Sequence, residues 1–308
     1  MESDNIISIV IRVRNAENDL QRCLNGLREQ ELPDRHKLEI IVVDNESKDN
    51  SVEIASRFGA IIVPLATQDF TWGKALNCGI TKTTGAIVLI LSADAYPANK
   101  NWVSEMTHPF ENINVAAVYG RQMPRMDAPI DEIVRLKKTF GDASRVMNSI
   151  PENFSSRGGN FPVSNACAAI RKSIWEKMPY DESISGGEEG VWTYSVLSQG
   201  FWIMYQASAC VYHSHNDSIF RSCWRHLELI RKNTELAEKK VNYLTYIHFI
   251  LSMIKRRMII CFFSEVNWYL RLKGLLLLPC EVGSFAIAAW FFHDEEKAKK
   301  YRSFFWDK

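Results

Sequence analysis

The chain has 308 residues, of which 46% are hydrophobic and 24% are charged, so disordered, collagen-like and low-complexity classes are excluded. The formal net charge of +1 argues against a general nucleic-acid binder, and we expect no nucleic-acid partner. This length accommodates one large domain, or one domain with an appended module.

The first 110 residues alternate strand-like apolar runs with segments of helical periodicity. Strands are predicted at residues 6–13, 38–43, 60–64 and 86–91. Helices are predicted at residues 16–30, 50–58 and 72–81. A helix after each strand is the βαβ pattern, which predicts an α/β fold with a mostly parallel sheet.

The remainder of the chain is mixed and then helical. Strands are predicted at residues 115–119 and 163–170, an extended segment at 201–215, and helices at 173–178 and 188–199. From residue 219 onward the pattern predicts three helices, at residues 221–240, 242–263 and 266–292.

Polar residues follow three of the predicted strands: Asn15, Asp44 and Asp94. Ligands of open α/β sheets bind outside the carboxyl ends of the strands, so three polar residues there favour a binding site. Each residue alone is equally well explained as a turn former or helix N-cap. No GxGxxG follows the first strand and no P-loop is present, so dinucleotide oxidoreductases and P-loop ATPases fit poorly.

Several short motifs occur in one order along residues 6–216. They are SIVIRVRN at 8–15, IIVVDNESKDNS at 40–51, GKALNCGI at 73–80, LILSADA at 89–95, SNAC at 164–167, GEEGVW at 187–192 and HSH at 213–215. In this order they resemble the family 2 glycosyltransferases of the GT-A fold. SADAYP, followed by GRQMPR at 120–125, is most similar to the bacterial rhamnosyltransferase-like branch.

The resemblance implies a GT-A fold: a mostly parallel Rossmann-like sheet flanked by helices, with a C-terminal helical extension. We expect a catalytic domain at 1–218, divided into a nucleotide-binding half (1–110) and an acceptor half (111–218). Residues 219–308 form the helical region. The implied donor is a nucleotide sugar of the dTDP-rhamnose or UDP-hexose type. Its expected contacts are Arg12, Asn15, Asp44, Lys74, Asn77, Ser92, Ala93 and Asp94.

A diphosphate donor calls for a divalent cation, Mn²⁺ or Mg²⁺, or for strong cationic side chains. In the family the last Asp of a DxD motif binds the metal, which makes Asp94 the expected ligand, although Ser92 replaces the first Asp. His213 and His215 lie two residues apart on an extended segment and therefore face one side, as two ligands require. A structural role for either histidine is the alternative.

Glu188 and Glu189 form a paired carboxylate at a predicted helix start. In the family this position carries the general base of an inverting transfer, which removes the proton of the attacking hydroxyl. Favourable charge at the helix N-terminus is the alternative, and which of the two glutamates is the base stays open. Expected acceptor contacts are Arg121, Trp192 and Asn165, with surface charge and a core tryptophan as the plainer interpretations of the first two.

The C-terminal helices combine basic and apolar residues, with 16 Lys and Arg against 9 Asp and Glu in residues 221–308. Such helices suit the surface of an anionic membrane, and packing on the catalytic domain or a homodimer interface are the alternatives. Seven scattered cysteines without a CxxC pair, and no signal-peptide pattern, indicate a cytoplasmic location, or a peripheral one on the cytoplasmic face of the inner membrane.

The expected function is transfer of a sugar to a saccharide or lipid-linked saccharide acceptor in bacterial O-antigen, capsule or exopolysaccharide synthesis. The alternative is a non-catalytic nucleotide-sugar-binding subunit of an assembly complex. Ser92, Glu189 and Val191 motivate it, because each departs from the usual acidic residue. A membrane-spanning synthase would need several clear spans, and the sequence offers at most one poor one.

Overall fold

A computed structural model describes residues 5–33, 35–152, 154, 163–184, 186–215, 243–263 and 268–292. These residues form two compact units. The first runs up to Arg125 and resumes at Leu136–Ser214, and the second combines Met126–Arg135 with the described residues from His215 onward. The predicted boundary at residue 218 and the predicted helix at 221–240 lie outside the described residues and stay predictions.

The described strands are β1 Ile6–Val13, β2 Lys37–Asp44, β3 Ile61–Pro64, β4 Ile87–Ser92, β5 Ala95–Pro97, β6 Val115–Met123, β7 Arg145–Met147, β8 Cys167–Arg171 and β9 Trp202–His213. The described helices are α1 Glu17–Arg28, α2 Ser51–Arg57, α3 Trp72–Thr81, α4 Trp102–Thr107, α5 Ile130–Thr139, α6 Lys172–Trp175, α7 Glu188–Ser198, α8 Tyr243–Phe263 and α9 Trp268–Phe292.

The described strands form one mixed sheet in the order β3-β2-β1-β4-β8-β6-β9-β5, with β7 paired to β9. The predicted βαβ half is confirmed, because β3, β2, β1 and β4 pair in parallel. The second half differs: β8 is antiparallel to both β4 and β6, whereas β6 and β9 are parallel. The sheet is therefore mixed, and the alternation of strands and helices identified its four-stranded parallel half.

Both faces of the parallel half are buried, which explains why its strands are continuously apolar. Val10 and Ile90 belong to the core cluster that includes residues of α3, α6 and α7. Ile9 and Leu89 belong to the cluster with α1, α2 and α4. Successive residues of one strand thus serve opposite cores, as the period of two requires.

Helix α3 lies unusually close to the sheet because it has a glycine at the contact. A Cβ atom added at Gly79 would lie 2.5 Å from Cγ1 of Val10 and 2.8 Å from Cγ2 of Val43, distances that packed carbon atoms do not tolerate. The close approach fixes α3 against β1 and β2, and with it the position of the α3 N-terminus.

The second unit is built around a buried arginine. Arg257 of α8 is 4% exposed and donates to both carboxylate oxygens of Glu281 on α9, at 2.9 and 2.7 Å, and it also pairs with Asp131. Burial raises the pKa of the Glu281 carboxyl, and the Arg257 charge opposes that shift. No helix in the described part of the chain combines the length and the hydropathy that crossing a bilayer needs.

Candidate active site

The ends of three neighbouring strands meet at one edge of the sheet. Arg12 of β1 is in register with Ser92 of β4 on one side and with Val43 of β2 on the other, and Val13 is in register with Asp44. Parallel strands that are in register end level with one another, so the polar residues predicted at these ends lie at the same edge of the sheet. Asp44 is 7% exposed, and Arg12 keeps 11% of its side chain exposed.

The loops that follow β1 and β2 are tied together by hydrogen bonds. The backbone N–H of Asn15 donates to Ser47 Oγ at 3.0 Å, and the Lys48 N–H donates to Asn15 Oδ1 at 2.7 Å. The Ser47 N–H in turn donates to the Asp44 carboxylate at 3.2 and 3.3 Å. Asn15 adopts φ +48°, a conformation that asparagine tolerates better than most residues. The observed role of Asn15 is therefore to hold the loop beside Asp44.

Two of the predicted metal ligands, Asp94 and His213, face each other beyond β4 and β9. The third, His215, begins the second compact unit, and its part in a metal site stays a prediction. Nε2 of His213 is 3.4 Å from Oδ1 of Asp94, and Ser92 Oγ donates to the same carboxylate oxygen. Ala93 is buried in the core, so its side chain points away from this set. The structure thus brings Asp94 and His213 together with Ser92 as a partner of Asp94, and metal binding there stays a prediction.

Gln122 of β6 orients the His213 ring, a role that no sequence motif predicted. Its Oε1 lies 2.9 Å from Nδ1 of His213, and the residue is 4% exposed. This contact orients the ring, and Nε2 of His213 faces Asp94. The missed signal is the alternation along GRQMPR: neighbouring strand residues face opposite sides.

We expect Gln122→Leu to weaken Mn²⁺ binding about 10- to 100-fold, because the His213 ring loses the partner that fixes its orientation. Titration calorimetry with Mn²⁺ alone measures this effect. Exposed Gln199→Leu is the matched control, and equal affinities of both variants would remove Gln122 from the site.

Arg121, the predicted acceptor contact, faces away from this set. It is in register with Cys210, and its positive charge acts on the Tyr205 hydroxyl, whose pKa burial raises to about 12. Arg125 is 9% exposed and pairs with Asp19 at 3.0 Å. The structure therefore does not bring Arg121 to the side of β6 on which Gln122 meets His213.

Glu188 is the more buried of the paired glutamates. It is 4% exposed, lies 3.5 Å from Arg12 Nη1, and accepts a hydrogen bond from Asn165 Nδ2 at 3.2 Å. Nε and Nη1 of Arg12 have no hydrogen-bond acceptor among the described residues. Arg12 and Glu188 thus form a buried ion pair that links the end of β1 to the start of α7.

Glu189 is only half-buried and lies beside the stacked rings of Tyr180 and Trp192, called the aromatic support. A narrow cavity below it is lined by Asn165, Tyr180 and Trp192, among others. Burial raises the pKa of the Tyr180 hydroxyl, and the negative charges of Glu188 and Glu189 add to the shift.

Two predicted acceptor contacts belong to this support. Trp192 is 4% exposed, stacks on Tyr180 at 5.5 Å, and donates its indole N–H to the Met178 carbonyl. Asn165 is 5% exposed and accepts from the Tyr180 hydroxyl at 3.3 Å while it donates to Glu188. Both residues therefore support the start of α7, where Glu188 and Glu189 lie, rather than offering an open contact surface.

The N-terminus of α3 places an exposed aromatic ring at the mouth of the site. The guanidinium of Arg12 lies 4.7 Å from the ring centre of Trp72, which is 44% exposed. Lys74 follows in the first turn, where Thr71 caps its backbone N–H, and its Nζ lies 3.9 Å from Asp69. The predicted Lys74 contact with a diphosphate stays a prediction.

Asn77, a predicted donor contact, has its hydrogen-bonding capacity filled by the protein. Its amide nitrogen donates to the Tyr180 carbonyl and to Glu182, at 2.9 and 2.8 Å. Its oxygen accepts from the Trp175 indole and the Tyr180 N–H, at 2.9 and 3.1 Å. An asparagine side chain has two donors and two lone pairs, so none is left for a ligand. Asn77 is a structural tie, which corrects the prediction.

We expect Asn77→Ala to lower the free energy of unfolding by about 3 kcal/mol. The reason is that the Trp175 indole N–H and the Tyr180 backbone N–H, both buried, lose their acceptor. Chemical denaturation measures the change, and exposed Asn101→Ala, whose side chain makes no cap, is the control. Unchanged stability together with weaker nucleotide binding would restore Asn77 as a ligand contact.

Comparison with known proteins gives the class of this chain. Residues 8–178, more than half of the chain, match the sequence profile of glycosyl transferase family 2. The chain belongs to this family.

Two individual relatives of this chain are both rhamnosyltransferases. The O-antigen chain rhamnosyltransferase RfbN of Salmonella typhimurium is 28% identical over 215 residues, which are 68% of this chain and 67% of the relative. The O-antigen chain rhamnosyltransferase WbaN of Salmonella anatum is 29% identical over 181 residues, 58% of this chain and 57% of the relative. The chain therefore spans between about half and two thirds of these relatives, and the predicted rhamnosyltransferase-like resemblance is confirmed.

Solved structures support the fold. A mannosyltransferase from Pyrobaculum calidifontis in complex with GDP-Man and Mn²⁺ aligns with a TM-score of 0.54 at 14% identity, over 92% of this chain and 74% of that one. S. aureus TarS 1–349 in complex with UDP-GlcNAc aligns with a TM-score of 0.54 at 14% identity, over 97% and 80%. These likenesses concern the fold alone, and with the family match they confirm the predicted GT-A fold.

Proposed function

We propose that this chain transfers a sugar, with inversion, from a nucleotide-sugar donor to a sugar hydroxyl in the synthesis of a bacterial surface polysaccharide. The observation that carries the proposal is that Asp44 and the pair of Asp94 and His213 lie at the strand ends where Arg12 also pairs with Glu188. The names of the rhamnosyltransferase relatives support O-antigen or a related polysaccharide as the product.

A divalent cation fits the Asp94 and His213 pair. One carboxylate oxygen and one imidazole nitrogen face each other, and Gln122 holds the other ring nitrogen of His213. Imidazole suits Mn²⁺ better than Mg²⁺, which prefers oxygen ligands, so we propose Mn²⁺ as the preferred ion. The bound cation would neutralise charge on the departing diphosphate.

The donor would lie along the strand ends, with its base near Asp44 and its diphosphate near Asp94. The Asp44 carboxylate holds one backbone N–H and has lone pairs left for a base N–H or a ribose hydroxyl. The unused N–H groups of Arg12 are suited to a phosphate oxygen. We propose a dTDP-rhamnose type of donor first, on the names of the relatives, and a UDP-hexose second.

Glu189 is the better candidate for the general base. Glu188 is held inside the protein by the Arg12 cation and the Asn165 amide, whereas Glu189 is half-buried and can be reached from solvent. Glu189 would take the proton of the acceptor hydroxyl as that oxygen attacks the anomeric carbon. The bond from that carbon to the diphosphate oxygen breaks, and its electron pair leaves with the nucleoside diphosphate.

A donor panel tests the proposal. The protein is incubated with Mn²⁺, saccharide or lipid-linked acceptors, and dTDP-rhamnose, UDP-glucose, UDP-galactose, UDP-N-acetylglucosamine or GDP-mannose, and free nucleoside diphosphate is measured. We expect turnover with one nucleotide class and an inverted anomeric configuration by NMR. Binding without turnover for every donor and acceptor would instead identify a non-catalytic nucleotide-sugar-binding subunit.

A further inference from the structure

The two helices of the second unit carry large apolar side chains on their exposed side. These residues, together called the apolar stripe, are Ile247, Leu251, Met258, Ile259, Phe262, Trp268, Tyr269, Leu272 and Leu276, with exposures between 40% and 72%. A surface helix of a water-soluble domain normally presents polar residues there. The apolar stripe is therefore a surface that a partner of apolar character would cover.

The orientation of these helices is fixed from the other side. Residues 247, 251, 258 and 262 recur at intervals of four and seven and so share one side of α8. The opposite side buries Ile260 and the Arg257 ion pair with Glu281. Rotating α8 to bury the stripe would expose Ile260 and break that ion pair, so the exposed apolar side is a stable property of this unit.

The charges beside the apolar stripe have one sign. Lys255 and Lys273 are exposed along it, and Arg271 is half-exposed. Glu281 is the one acidic residue in the described parts of α8 and α9, and its carboxylate is bound by Arg257. Phe262, Trp268 and Tyr269 add aromatic rings of the kind that favour the interface between lipid and water.

We infer that the apolar stripe docks on the surface of an anionic lipid bilayer, with α8 and α9 lying in the interface. Anionic headgroups would complement Lys255 and Lys273, while the stripe enters the acyl boundary. A second copy of this unit fits less well, because it would bring lysines to the same apolar stripe with no exposed acid on either helix to pair with them. This inference is independent of the proposed transferase activity.

Sedimentation of the full chain with vesicles tests the inference. One vesicle population is phosphatidylcholine, and the other contains phosphatidylglycerol as about a third of its lipid. We expect the chain to bind the anionic vesicles, and we expect high salt to weaken that binding. Lys255→Gln combined with Lys273→Gln should reduce binding on the order of tenfold, whereas Lys82→Gln, an exposed lysine of the first unit, should have no effect.

The apolar contribution is tested separately with Trp268→Ser combined with Leu276→Ser. We expect this variant to lose most vesicle binding while its far-UV circular dichroism and melting temperature stay unchanged, because both side chains are exposed. Ile113→Ser, which removes an exposed apolar side chain from the first unit, is the matched control.

Two results would overturn the inference. In the first, the chain binds neither vesicle type, and light scattering shows a dimer that dissociates in the variant with Trp268 and Leu276 changed. This result would assign the apolar stripe to a second copy of the chain. In the second, anionic vesicles are bound equally well by the double lysine variant and the double apolar variant. Donor turnover measured without lipid reports on the transferase proposal separately, so failure of one leaves the other intact.

Discussion

Asp94→Ala is expected to abolish measurable Mn²⁺ binding and to lower turnover by on the order of 10³-fold, the scale of a lost metal contribution to transition-state stabilisation. The reason is the geometry: Asp94 supplies the carboxylate oxygen that faces Nε2 of His213. Titration calorimetry with Mn²⁺ and measurement of nucleoside diphosphate release provide the two readouts. The side chain is 24% exposed, so the variant should remain folded.

Two control variants distinguish this role from a turn-forming role. Asp142→Ala removes an exposed carboxylate elsewhere and should leave both readouts unchanged. Asp94→Asn keeps the size and one oxygen but loses the charge, and it should resemble Asp94→Ala in Mn²⁺ affinity. If Asp94→Ala lowers only the melting temperature and binds Mn²⁺ normally, Asp94 is a structural residue.

Glu189→Gln should lower turnover by about 10²- to 10⁴-fold while donor affinity and stability change little, because the variant removes the proposed base and keeps the size of a half-buried side chain. Glu188→Gln should behave differently. It leaves the buried Arg12 cation without its counter-charge, and we expect a loss of about 3 kcal/mol in the free energy of unfolding. Chemical denaturation and steady-state turnover of both variants measure the contrast.

A double-mutant cycle checks the ion-pair part of this contrast. Arg12→Met combined with Glu188→Gln should be less destabilised than the sum of the two single variants, because neither charge is then left alone. If the effects add, Arg12 and Glu188 do not interact. If Glu188→Gln abolishes turnover while Glu189→Gln retains it in a folded protein, the roles of the two glutamates are reversed.

The parallel half of the sheet was predictable from sequence because its signals are local. Apolar runs of strand length and the helices between them indicate the βαβ order, and α3 begins and ends at the predicted residues. Asp44 and Asp94 were selected because each follows a strand end. The registry of β1 with β2 and β4 then makes these ends neighbours.

The partners inside the site were not predictable, because they join residues distant in sequence. Gln122 meets His213 across 91 positions, and Asn77 meets Tyr180 across 103. A sequence motif tells which residue types occur together, but it does not tell whether an amide is already saturated. This is why Asn77 was predicted as a ligand contact and found to be a structural tie. The short elements α4, β5 and β7 were missed because three to six residues show no periodicity.

Thermal melting with nucleotide sugars, in the presence of Mn²⁺ or of a chelator, tests the central claim most directly. At donor concentrations about a hundredfold above Kd, ligand binding should raise the melting temperature by roughly 5 °C. The account predicts this rise for one nucleotide class, with Mn²⁺ only, and its absence in Asp94→Ala. An equal rise with chelator and in Asp94→Ala would contradict the metal site, and no rise with any donor in folded protein would contradict the proposed function.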